Sequence, residues 1–213
     1  MSTRDAKKAG RPTDAAKREA IVAAASRAFF DEGYAASSIE QIAAQAGVSK
    51  VTIYNRFGDK RSLFTAAVEH ECEKMRGTFT VPAAPSGTLR DRLTAIGEAM
   101  SAFLSRPEMI RFDRRISAET EHDPSLGEAF LKAGPHRMKD AFVTLLRALD
   151  DAGEIAVPDA DLAAEQFVAM CKGMGDLERR FGAPLDAARE AERIAGAVDV
   201  FCRAYAIDGC ERN

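Results

Sequence analysis

The sequence predicts an all-α fold, with a small N-terminal three-helix unit followed by a larger helical body. Three observations carry that expectation. Apolar residues recur at three- and four-residue intervals along most of the chain. Glycine, proline and capping residues divide these runs at helix-length spacing. No alternating, β-branched segment of useful length interrupts them. The 213 residues suffice for one domain or two small ones sharing an interface, and 46% apolar with 30% charged residues is a globular composition.

Asp14 opens a first helix to about Glu32, with Ile21, Ala24, Ala25, Ala28 and Phe29 on one face. Gly33 closes it as a C-terminal glycine. Ser38 and Gln41 have capping-box spacing and start a short helix with Ile39, Ile42, Ala43 and Ala46 apolar. Gly47 ends that helix, and Ser49 caps a third reaching Phe57. After Gly58 and Asp59 a fourth runs from Lys60 to about Arg76, and the stretch Val81 to Gly87 is the clearest break in the chain. Thr88 to Ser105 is again helical in period. Pro107, Pro124 and Pro135 each suit the first turn of a further helix, the last reaching about Ala152. Asp159 and Pro184 are expected to open the final two.

Charge is unevenly distributed. Residues 1–61 carry eleven Lys/Arg and seven Asp/Glu, a net of +4, while the remainder carries −7. A basic front on an acidic body suggests an anion-binding module. The longest apolar run, Ala20 to Ala25, is far too short to span a membrane, and the charged N-terminus has no apolar stretch behind it to make a secretory signal. Cys72, Cys171, Cys202 and Cys210 lack zinc or redox spacing, which fits a reducing cytoplasm. A redox switch at Cys171 or Cys202 is a minor alternative, since nothing basic in the sequence activates either thiol.

The second and third helices, joined across Ala46-Gly47-Val48-Ser49, have the helix-turn-helix arrangement, whose second helix enters the DNA major groove. At about 100° per residue, Ile53 and Phe57 define the buried side of that helix, and Val51 and Asn55 lie opposite. Thr52 and Tyr54 flank them, with Lys50 at the helix start. An amide, hydroxyls and a methyl-bearing surface are groups that read base edges and hold phosphate. The helix N-termini at Ser38, Ser49 and Asp59 offer backbone donors for phosphate. Arg4, Lys7, Lys8 and Arg11 form a basic arm, residues 1–13, suited to the DNA backbone or a minor groove. A helical hairpin with an ordinary polar face is the alternative.

Gly10-Arg11-Pro12, the run from Ile21 through Phe29 to Gly33-Tyr34, Ser38-Ile39 through Ile42 to Lys50, and Thr52-Ile53-Tyr54 through Phe57 and Lys60 to Leu63-Phe64 together resemble the TetR family of bacterial transcriptional regulators. The resemblance covers residues 10 to about 68. It implies a DNA-binding domain at 14–60 and a ligand-binding and dimerisation domain at 61–213. It further implies a homodimer on a palindromic operator, most often a repressor released by a small molecule, with no cofactor. Carried over residue by residue, it assigns DNA contact to Ser38, Ser49, Lys50, Val51, Thr52, Tyr54, Asn55 and Lys60, with Lys60 turned toward phosphate. Val51 stands where many members have a small residue, and Arg56 where an aromatic or His is frequent, so base contacts are expected to differ from the commonest ones.

Residues from Arg106-Pro107 through Arg114, Ala118-Glu119, Pro124, Gly134-Pro135 and Gln166-Phe167 are similar, more loosely, to the AefR-like C-terminal domain of part of that family. This implies dimerisation through 159–181 and 184–207. Phe167, Met170, Val198, Phe201 and Tyr205 are the apolar candidates there, fitting an interface or an intrachain core equally. Met100, Phe103, Met109, Phe112, Phe130, Met138 and Phe142 are either a core or the lining of an apolar effector pocket.

No P-loop, dinucleotide fingerprint, nucleophile elbow or zincin motif occurs, which argues against an enzyme. Gly173-Met174-Gly175 is too short to be a nucleotide motif. Glu119 and His122 have metal-ligand spacing, but no second pair accompanies them, and no metal is expected. Arg111, Arg114 and Arg115 share a face suited to an acidic effector. Pairing with Glu108 and Glu119 is the preferred explanation of that face. The helix from Lys60 to Arg76 is the expected lever between the two parts.

Overall fold

The computed structural model describes residues 14–76 and 87–207. The basic arm, most of the expected break before Gly87, and Cys210 lie outside the described residues. The described chain forms α1 (Asp14–Glu32), α2 (Ile39–Ala46), α3 (Lys50–Phe57), α4 (Lys60–Arg76), α5 (Leu89–Leu104), α6 (Pro107–Thr120), α7 (Pro124–Ala133), α8 (Pro135–Asp151), α9 (Ala160–Arg180) and α10 (Ala187–Tyr205). No strand occurs among these residues. One isolated antiparallel bridge, Ile155 with Ala206, ties the α8–α9 loop to the end of α10.

Local caps set most of these boundaries. The Ser38 hydroxyl accepts the Gln41 N–H while the Gln41 side chain accepts the Ser38 N–H, and Gly47 closes α2 at φ 66°. Thr88 and Asp91 form a second such box at α5. Pro107, Pro124 and Pro135 all sit at helix starts. The start of α10 differs from expectation. Pro184 lies in the preceding turn, and Asp186 is the cap, its side chain accepting the Arg189 N–H.

The packing forms two apolar cores. One joins α1–α4 to α6 and α7, so it does not part at residue 60, where the helix-turn-helix motif ends. Phe112 on α6 is its keystone: it stacks on Phe30 with centroids 4.1 Å apart and meets Phe130 edge-on at 5.4 Å. The other core joins α5, α8, α9 and α10 around Phe142, Phe167 and Phe201. Burial of these aromatics is the main driving force on each side of the molecule.

Phe167, Val198 and Phe201, expected as interface or core, are fully buried within this chain. Met170 and Tyr205 are half-buried against the same core. The apolar side chains that α9, α10 and their turn turn outward are others, chiefly Met174, Leu177, Phe181, Leu185 and Val200.

Within α9 the backbone breaks at Gly173 (φ 46°, ψ −152°). Only glycine adopts that region without strain. A Cβ there would also stand 2.7 Å from Cδ of Arg193, whose side chain lies across Gly173 and Gly175. Gly173→Ala is therefore expected to destabilise the protein by about 1–3 kcal/mol, read as a lowered urea midpoint. An unchanged midpoint would mean that the kink relaxes without cost.

The small cavity nearest the expected effector pocket is about 70 Å³, between α5, α6, α7 and α9. Met109, Phe112 and Phe130 line it together with Asp113, Lys172 and Arg180. It is roughly half the volume of a cavity known to admit benzene. The seven Phe and Met candidates do not share one cavity. Met100 and Phe142 belong to the second core, Phe103 packs against both cores, and Met138 lines a separate 260 Å³ groove with Glu69, Cys72 and Arg137.

Candidate nucleic-acid interface

The geometry of α3 follows the expected helical wheel. Ile53 is buried and Phe57 packs partly behind it, while Val51, Tyr54 and Asn55 are exposed. Val51 and Tyr54 are 58% and 46% exposed, large for apolar and aromatic side chains on a short helix, so α3 presents a recognition surface instead of a packing face. Short caps fix its position. The Ser49 hydroxyl accepts the Thr52 N–H and lies 2.9 Å from the Thr52 hydroxyl. Both Ser49 and Thr52 are thus engaged in starting the helix, with Thr52 half-buried.

The basic side chains around α3 all have partners within the chain. Lys50 Nζ is 3.3 Å from Glu40 Oε1 on α2. Arg56 pairs with Asp14 at the start of α1. Arg61 is bound to Asp123 and Ser125 on the α6–α7 side. Lys60, expected to face phosphate, is half-buried, with Nζ 4.5 Å over the Tyr34 ring. Burial lowers the Lys60 pKa, and burial likewise raises that of the Tyr34 phenol.

The three helix N-termini expected to offer phosphate donors are capped by their own side chains. At α2 the Ser38–Gln41 box uses two donors, and Glu40 adds its carboxylate. The Glu40 pKa lies below the ordinary glutamate value, first through a hydrogen bond from its own backbone N–H and then through Lys50. At α4 the Asp59 carboxylate accepts the Ser62 N–H at 2.6 Å, which lowers its pKa.

Glu40 escaped the sequence reading because it lies ten residues from Lys50, beyond any helical period. The arginines of α6 also found more distant partners than expected. Arg111 lies 3.5 Å from Asp31, and Arg115 donates to the Asp31 carbonyl. Arg114 donates to the Arg179 carbonyl at 2.7 Å. Glu119, instead of pairing with these arginines, accepts the Ala35 N–H at 3.1 Å. Helix α6 therefore grips the last turn of α1 and the α1–α2 turn, and also holds α9.

Neither Cys72 nor Cys171 is an activated thiol. Burial pushes Cys72 up to about 11 and Cys171 up to about 12. Cys202 is buried. No grouping of three or more His, Cys, Asp or Glu suited to a metal occurs among the described residues, and no helix there is long and apolar enough to cross a membrane.

An all-helical chain with an exposed recognition helix, capped at its start and braced by a larger body, defines a helix-turn-helix DNA-binding protein. Comparison with known proteins specifies the family. Residues 21–67 match the tetR family model of bacterial regulatory proteins, and residues 91–207 match the AefR-like transcriptional repressor C-terminal domain. The chain belongs to the TetR family of transcriptional regulators, with an AefR-like C-terminal domain. The transcriptional regulator BetI of Rhizobium meliloti (strain 1021) is 28% identical over 159 residues, 74% of this chain and 75% of that one. A TetR-family regulator structure from Mesorhizobium loti MAFF303099 superposes with TM-score 0.77 at 27% identity, covering 92% of this chain and all of that one. The flavonoid-responsive regulator FrrA superposes with TM-score 0.71 at 26% identity, over 90% and 98% of the two chains.

Proposed function

We propose that this regulator is a cytoplasmic homodimeric repressor that binds a palindromic operator through α3 and is released by a small-molecule effector. The observation that carries the DNA-facing part is the exposed face of Val51, Tyr54 and Asn55 opposite buried Ile53. The arm 1–13 supplies backbone contacts, 14–60 reads the DNA, and 61–213 senses the effector and dimerises.

The repressor sense is supported by the likeness of residues 91–207 to the C-terminal domain of AefR-like transcriptional repressors. A second copy is the expected cover for Met174, Leu177, Phe181, Leu185 and Val200, apolar side chains that otherwise face water on α9, α10 and the turn between them. For the effector, the likeness to flavonoid-responsive FrrA makes planar aromatic molecules the first class to screen. Such a molecule exceeds the 70 Å³ cavity beside Phe112, so binding there requires α6 and α9 to separate. Because α6 holds the end of α1 through Arg115 and the α1–α2 turn through Glu119, that motion would re-aim the recognition helices from their spacing of about one DNA turn.

The test is fluorescence anisotropy with DNA flanking the gene, and with DNA selected from a random pool, across a salt series. Specific binding as a dimer that weakens steeply with salt is expected. Asn55→Ala is expected to cost roughly 1–3 kcal/mol on the selected operator and to relax preference at one position, whereas Tyr54→Ala should weaken binding on all sequences. Equal losses from Asn55→Ala on every sequence would make Asn55 a phosphate contact.

A further inference from the structure

We propose that the cavity where α6 meets α9 receives an organic acid, its carboxylate held by Arg179 and its apolar part by Phe112 and Phe130. The inference rests on the reading of 61–213 as an effector-sensing domain, and it names the chemical class which that domain takes. The cavity has two unlike walls. Leu104, Met109, Phe112 and Phe130 make one apolar, while Asp113 on α6 and Lys172, Asp176, Arg179 and Arg180 on α9 make the other charged. Such a space suits an amphipathic ligand better than a wholly apolar one.

The charged wall is paired except along one edge. Arg180 Nε lies 2.6 Å from Asp113 Oδ2, and Lys172 Nζ lies 3.3 Å from Asp176 Oδ2. Arg179 differs from both. Its side chain is only 6% exposed, and Nη1 alone donates to the two carboxylate oxygens of Glu190. Nε and Nη2 donate no hydrogen bond to any described residue. Nη2 lies 3.8 Å from Asp176 Oδ1, too far for one. Because Asp176 is itself part of the cavity wall, this edge of the guanidinium lies on the cavity side. A buried donor without an acceptor is unfavourable, so the edge is a place where an incoming acceptor gains.

The chemistry of the wall selects among ligands. A carboxylate matches the fork of the arginine with two oxygens and displaces neither of the two ion pairs beside it. An ammonium group must break one of those pairs and stand next to the Arg179 charge. A neutral aromatic molecule uses the apolar wall and leaves the Arg179 edge unmatched. At about 70 Å³ the cavity has room for a head group and little more, so the tail enters as α6 and α9 part. The seat of the head group is also tied to α6, since Arg114 donates to the Arg179 carbonyl at 2.7 Å.

The experiment titrates the full chain by calorimetry with benzoic, cinnamic and octanoic skeletons, each as carboxylate, primary amide and amine. For any skeleton that binds, the carboxylate should be roughly tenfold or more tighter than the amide, with the amine weakest. Arg179→Met combined with Glu190→Leu, checked by urea unfolding, should bring carboxylate and amide to parity. Arg179→Lys keeps the charge beside Glu190 but not the fork, and should lower the preference without abolishing it. An amide or amine as tight as its acid, a preference unchanged in both variants, or no carboxylate binding at millimolar concentration would overturn the proposal. Anisotropy on operator DNA separates this result from the wider reading. A carboxylate that binds through Arg179 without releasing DNA would refute release by the effector and leave the site standing, whereas release by neutral aromatics alone would do the reverse.

Discussion

Arg179→Ala is expected to lower the stability of the protein by about 3–5 kcal/mol. Arg179 lies on the buried side of α9 beyond the Gly173 kink, where the previous turns place Phe167 and Cys171. Its Nη1 donates to both carboxylate oxygens of Glu190 on α10, at 3.0 and 2.9 Å, and the Ser101 hydroxyl donates to the same carboxylate. The two side chains are only 6% and 9% exposed. Such a pair is not itself a large source of stability, because desolvating both charges offsets most of their attraction. Removing one partner is costly because it leaves the other charged, buried and uncompensated. Arg179→Met combined with Glu190→Leu should accordingly recover most of the loss, and urea unfolding of the single and double variants checks both statements. A single variant as stable as wild type would show that Glu190 finds water or another donor.

Deleting residues 1–13 is expected to weaken binding to any DNA by roughly 100-fold at physiological salt, and to reduce the salt slope by about three. The deletion removes Arg4, Lys7, Lys8 and Arg11 and one acid, Asp5. The expectation draws its size from the partners of the other cations near α3. Lys50, Arg56 and Arg61 pair with Glu40, Asp14 and Asp123, and Lys60 lies on Tyr34. Each must give up an internal contact before it neutralises a phosphate, and the deletion removes four basic residues that lie within eight positions. Anisotropy titrations from 50 to 300 mM salt on operator and random DNA distinguish the outcomes. A loss on the operator alone would mean that the arm reads a minor groove in addition to holding the backbone. No loss on either would place the electrostatic contact in the folded helices.

The recognition motif was legible because its determinants are local. The Ser38–Gln41 box, the Gly47 cap, the Ser49 cap and the Ile53/Phe57 face all involve residues three to five apart, and short-range sterics and hydrogen bonds decide them. The partners of charged side chains were less legible. Arg111, Arg114 and Arg115 had carboxylates at helical spacing, Glu108 and Glu119, yet they contact Asp31 and Arg179 from other helices, 65 to 84 residues away in the two hydrogen bonds. A long guanidinium chooses among all acceptors within reach, and helix packing sets which those are.

By itself the sequence determined the helical class, the order and most of the ends of the helices, and the outward face of α3, since each follows from interactions inside one or two turns. The tertiary structure decided the use of the apolar stripes. It buried Phe167, Val198 and Phe201 inside the chain and left Met174, Leu177 and Phe181 exposed. It also divided the Phe and Met cluster between two cores, with one small cavity where α6 meets α9. Helical periodicity shows that a side chain shares a face with its neighbours three and four residues away; whether another helix covers that face depends on contacts between segments far apart in the chain.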